Sequence, residues 1–116
     1  MVHAPIDLDC LHQISEGDID FEQELLNVYL EDAQLHLEHL QRAHAAKDYD
    51  QLGREAHYFK GASSNIGALP MQSLAGELED LCLKYNQNPN SERIDTLTKA
   101  IPTELATIGA FIASYS

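Results

Sequence analysis

Between Ala56 and Gly67 the chain reads AHYFKGASSNIG, and His57, Lys60 and Gly61 within it have the types and spacing to do chemistry. An imidazole that is neutral near physiological pH is a competent nucleophile. A lysine three residues on lies one helical turn away on the same side. Its ammonium can meet the oxygens of an anion carried on the ring through charge-assisted hydrogen bonds. Gly61 needs a reason, because a glycine inside a helix costs roughly 1 kcal/mol against alanine. Either it removes a side chain one turn beyond His57 so that another protein's surface can reach the ring, or it lets two helices pack closely. The sequence leaves both open.

Charge sharpens the chemistry. From Gln51 to Gly76, Arg54 and Lys60 stand against Glu55 alone, making +1, which leaves −13 to the rest of a chain whose total is −12. A locally non-acidic window around one histidine tolerates a phosphoryl anion on its ring. The sequence has no Gly-rich phosphate loop with Lys-Ser/Thr and no kinase signature. A phosphoryl group on His57 would therefore have to come from a partner protein.

Holding such a ring still requires a scaffold, and the apolar periodicity predicts one made of helices. Leucine and alanine are frequent while aromatics make up 7% with no Trp, which favours helices over a sandwich. Residues 1–6 read as a flexible leader containing Pro5. A short helix is expected from about Asp7 to Ile14, with Leu8, Leu11 and Ile14 on one face, before the turn Ser15-Glu16-Gly17-Asp18. The second helix is expected to start near residue 20, with Asp20 and Gln23 as a capping pair. Leu26, Leu30, Ala33, Leu37 and Leu40 form its buried stripe, and it ends around Ala46 to Lys47.

Asp48, with Gln51, caps a third helix whose stripe is Leu52, Ala56, Phe59, Ser63 and Ile66, stopped by Gly67 in a left-handed conformation. His57 lies one step round from Ala56, so its ring emerges at the stripe's edge, on a face shared with Gly53, Gly61 and Ser64. Pro70 suits the first turn of a fourth helix with the stripe Met71, Leu74, Leu78, Leu81 and Tyr85, and Asn86 to Asn90 is a break. The last helix runs from near Ser91 through Ile94, Leu97, Ile101, Leu105, Ile108, Ile112 and Tyr115, with Pro102 predicting a kink or a weak start. The expected fold is all-α: an antiparallel four-helix bundle with a short additional N-terminal helix, a single domain over residues 7–116.

The whole chain bounds the partners. Its 116 residues suffice for one core but not two. A net charge of −12 argues against nucleic acid and against an anionic membrane surface. No apolar run approaches the roughly 18 residues that span a bilayer, and MVHAPIDLDC lacks the pattern of a secretory signal. Cys10 and Cys82 are expected to be reduced and packed. A cytoplasmic monomer fits these features.

At His57, Lys60, Gly61, Ser63 and Gly67, preceded by Ala56, the sequence closely resembles the histidine-containing phosphotransfer (HPt) family, ungapped. FEQELLNVYLEDAQLHLEHLQRAHAAKDYDQLGREAHYFKG is similar to that family's second and third helices, and LAGELEDLC to the next, so the resemblance covers roughly residues 18–85. It implies a phosphorelay intermediate, not an autonomous enzyme: His57 accepts a phosphoryl group from an aspartyl phosphate on one receiver domain and passes it to another. By the same resemblance Lys60 steadies that group, Gly61 clears space for the receiver, and Glu79 hydrogen-bonds the ring. Glu79 would then accept from Nδ1–H and leave Nε2 to attack. No cofactor belongs to the chain; Mg²⁺ would be held by the receiver of the response regulator or hybrid kinase.

Phe21, Leu25, Val28 and Tyr29 give the second helix more apolar area than one stripe needs. Either they form a docking patch beside His57, with Tyr58, Ser64 and Asn65 at its rim, or they simply cover the first helix. Two other functions compete: a bundle that binds proteins without being phosphorylated, and a metal-binding bundle suggested by His36, His39 and His44. Projected on a helix, His44 points about 80° from His36 and about 140° from His39, and no Glu-x-x-His pair of di-iron type occurs.

Overall fold

A computed structural model describes residues 4–84 and 89–115. They form α1 (Leu8–Ser15), α2 (Ile19–Ala45), α3 (Tyr49–Ser64), α4 (Leu69–Leu83) and α5 (Ser91–Ser114). Helices α2 to α5 pack each on the next and α5 returns to α2, closing an antiparallel four-helix bundle, while α1 lies on α2. The body measures 45 × 25 × 24 Å, a length set by α2, whose 27 residues rise about 40 Å. No strand occurs among the described residues.

Local chemistry starts each helix. Asp7, Asp18, Asp48 and Asn90 accept from the backbone N–H three residues on, at 3.1–3.2 Å, satisfying donors that a first turn leaves unpaired. Helix α4 has no such cap and opens with Pro70 in its first turn, where a missing N–H costs nothing. The cap of α2 is thus Asp18 and not Asp20. Glu16 and Gly17 both take positive φ, so the chain turns before Asp18, and Asp20 becomes an acidic residue of the first turn. Gln51 donates its backbone N–H to Asp48 as expected, but its side chain reaches forward to Glu55 at 3.2 Å and does not complete a capping box.

The stripe of α3 is as expected. Leu52, Ala56, Phe59, Ser63 and Ile66 are all buried, and α3 packs between α2 and α4. Gly67 ends the turn after α3 with φ +74°, and a Cβ there would stand 2.8 Å from the Asp7 carbonyl oxygen. That approach is used: Asp7 N–H donates to the Gly67 carbonyl at 2.8 Å. The start of α1 is therefore pinned to the α3–α4 turn.

Further expectations are corrected by the packing. Ile6 is buried in the core, so the flexible leader does not extend to residue 6. In α1, Leu11 and Ser15 are buried while Leu8 and Ile14 are both 40% exposed: with so short a helix against α2, only one narrow face is covered. In α4 the buried set is Met71, Ala75, Leu78 and Cys82, with Leu74 and Leu81 half-buried and Tyr85 outside the described residues. In α5 the helix continues through Pro102 and its start at Ser91 is capped by Asn90, so of the two outcomes expected of the proline the weak start is not seen. Both cysteines are free thiols, and burial pushes the Cys82 thiol up to about 11.

One interior feature is polar. Glu22, on the first turn of α2, is fully buried, and it accepts from Tyr115 Oη at 2.5 Å, from Ser15 Oγ at 2.7 Å and from His12 Nδ1. One carboxylate thereby joins α1, α2 and the C-terminal end of α5.

Candidate phosphoacceptor site

His57 emerges at the edge of the α3 stripe, its side chain about two-thirds exposed at 67%. Ala56 and Phe59 on either side are buried and fix the rotation of the helix. The ring is oriented from α4: His57 Nδ1 lies 2.6 Å from Glu79 Oε2. A carboxylate can only accept, so Nδ1 carries a proton, and it is the neutral ring so oriented that offers its lone pair at Nε2.

The other oxygen of Glu79 meets Lys60, with Nζ at 2.5 Å from Oε1. Burial alone would raise the Glu79 carboxyl, but the bonds from Lys60 and His57 outweigh it and hold the carboxyl below its usual value. The same ion pair raises the Lys60 ammonium. One ionised carboxylate thus serves two groups: it orients the His57 ring and holds the Lys60 ammonium one turn away.

Two glycines that share a helix with His57 differ in cause. A Cβ on Gly61 would meet nothing within 4 Å, so close packing does not explain this glycine, which faces open space. A Cβ on Gly53 would lie 2.6 Å from Leu83 and 2.9 Å from Cys82. Gly53 is buried, so it belongs to the α3–α4 contact and not to the face of His57; Ser64 remains exposed. Gly76 was not anticipated. Its absent side chain leaves room for the Lys60 stem, which a Cβ would meet at 3.4 Å. Its place three residues before Glu79, on the same face of α4, was the available signal.

Between α2 and α3, Leu25, Val28 and Asp32 of α2, Tyr58 and Ala62 of α3 and its C-cap Asn65 line a shallow depression of about 250 Å³. Leu25, Val28, Tyr58 and Asn65 are therefore brought together, whereas Ser64 is not among the lining residues. Val28 is 50% and Phe21 42% exposed, which removes the reading that all four apolar residues of early α2 cover α1. Tyr29 is a correction: it is 5% exposed, and its hydroxyl pairs with Ser63 Oγ at 3.0 Å. Burial pushes that hydroxyl up to about 12, and Tyr29 lines the depression as a buried residue and not as an exposed one. Tyr58 stacks on His36, ring centres 3.6 Å apart.

Of the other histidines, His44 bonds Asp95 at 2.6 Å and turns away from His36 and His39, as the helical projection requires. Among the described residues no helix is long and apolar enough to cross a membrane.

Comparison with known proteins agrees with the geometry. The family model described as Hpt domain matches residues 24–110. The phosphorelay intermediate protein rdeA of Dictyostelium discoideum is 28% identical over 109 residues, covering 94% of this chain and 41% of that protein. Histidine-containing phosphotransfer protein 2 of Arabidopsis thaliana is 28% identical over 96 residues, covering 78% of this chain and 62% of that protein. The chain therefore spans less than two-thirds of either relative's length. The crystal structure of histidine-containing phosphotransfer protein B from Pseudomonas aeruginosa PAO1 superposes with a TM-score of 0.83 at 27% identity, covering 97% of this chain and 94% of that one.

Proposed function

Because this chain belongs to the Hpt domain family, we propose that it is a histidine phosphotransfer protein of a two-component phosphorelay. It takes a phosphoryl group on His57 from an aspartyl phosphate of one receiver domain and delivers it to another. The observation that carries this reading is the exposed ring held through Nδ1 by Glu79, with Lys60 on the same carboxylate.

In the transfer, Nε2 attacks phosphorus in line while the bond to the aspartyl oxygen breaks, through a loose transition state. The receiver's carboxylate leaves with the bonding pair, and Nδ1 keeps its proton on Glu79. The ring becomes cationic as the N–P bond forms, and the Glu79 charge stabilises it. Lys60 then exchanges Glu79 for the phosphoryl oxygens, a change that needs only rotation of a flexible stem. Gly61 leaves the approach clear, and the depression between α2 and α3 takes an apolar surface of the receiver. Mg²⁺, where needed, belongs to the receiver. The chain acts as a relay without ATP chemistry of its own, as a cytoplasmic monomer.

The test is incubation with a phosphorylated receiver, followed by analysis of the label. Acid-labile, base-stable label should accumulate on the protein and vanish in His57→Gln. Label that persists in that variant sinks the site, and no uptake from any cognate receiver would make the chain a protein-binding bundle without phosphotransfer.

A further inference from the structure

A second cluster of side chains lies outside this site. His36 and His39 stand one turn apart on α2, and Glu55 of α3 faces both. Glu55 is 7% exposed; its Oε2 is 2.8 Å from His36 Nδ1, and its Oε1 is 3.6 Å from His39 Nδ1. One donor atom from each of the three lies within 4.8 Å of the others. The Gln51 amide donates to the same carboxylate, at 3.2 Å from Oε1. None of these partners carries a permanent positive charge. A carboxylate withdrawn from water is costly without a compensating charge, and the chain as a whole is at −12.

We propose that His36, His39 and Glu55 bind a divalent transition-metal ion of the zinc type, independently of phosphotransfer at His57. Two imidazole nitrogens and one carboxylate oxygen form a donor set that zinc accepts, whereas magnesium and calcium prefer oxygen. Bonds of about 2.0–2.2 Å in a tetrahedral arrangement separate ligand atoms by roughly 3.4 Å. One donor atom from each side chain already lies within 4.8 Å of the other two, so side-chain adjustment brings them to that spacing. The His36 and His39 side chains are 30% and 41% exposed, which gives the ion a path from solvent and leaves a fourth position for water. The site also touches the receiver-facing depression, because His36 stacks on Tyr58 and Tyr58 lines it.

Titration of the metal-free full chain with Zn²⁺ against a chromophoric chelator tests this. One equivalent should bind in the micromolar range or tighter. His39→Ala and Glu55→Gln should each weaken binding at least tenfold, and His44→Ala should not change it. His39 is partly exposed, so circular dichroism of His39→Ala should match the parent and separate lost ligation from lost fold. Co²⁺ should give ligand-field absorption in the parent and none in His39→Ala. No binding in the micromolar range, or an affinity that survives both His36→Ala and His39→Ala, overturns the site.

Discussion

Glu79 divides one negative charge between the His57 ring and the Lys60 ammonium. Replacing it with glutamine keeps an acceptor for His57 Nδ1–H but turns a charge-assisted bond into a neutral one, a loss of about 1 kcal/mol. Phosphoryl uptake by Glu79→Gln in single-turnover assays should therefore fall roughly fivefold, and an unchanged rate would remove Glu79 from the positioning role. His57, Lys60 and Gly61 were legible because they lie on one helix, where spacing alone fixes a shared side. Glu79 came from resemblance, and the structure gives it both bonds. Gly76 and the pairing of Glu55 with His36 were not legible: each acquires its meaning from a neighbouring helix, and no single-helix periodicity states which residue of α4 or α2 will stand opposite.

Helix α3 carries two glycines with opposite consequences. Gly61→Ala adds a methyl group into open space and should stabilise the protein by up to about 1 kcal/mol. Gly53→Ala forces a methyl into Leu83 and Cys82 and should destabilise it by about 1–3 kcal/mol. Urea midpoints read both, and a destabilised Gly61→Ala would restore the packing explanation. A bulky residue at position 61 should slow transfer while helix content holds. The helices themselves differ in how well their inner faces could be read. In α3 the large side chains coincide with the core. In α4 the spacings 71, 74, 78, 81 and 71, 75, 78, 82 both suit a helix, and large Leu74 and Leu81 drew attention from small Ala75 and Cys82, which are the residues that fit against α3. In α2 two aspartates compete for the cap, and the backbone turn at Glu16 and Gly17 decides for Asp18.

The bundle as a whole was legible from four apolar repeats joined by short breaks, but its polar interior was not. A glutamate reads as part of a solvated face, and nothing in local sequence announces that Glu22 will meet Tyr115 across 93 positions. Those bonds, Tyr115 foremost with His12 and Ser15 adding to it against the opposing effect of burial, bring the Glu22 carboxyl down to about 2 from an ordinary 4.5. A folded value below the unfolded one means that the stabilisation is complete above about pH 4.5 and is lost as pH falls toward 2. In Glu22→Gln the urea midpoint should vary less across that interval than in the parent protein; an identical slope would show that the carboxylate is not what acid attacks. The acid response is then local in origin. The carboxylate is the knot where α1, α2 and the tail of α5 are tied, so a proton taken up there loosens three elements at once.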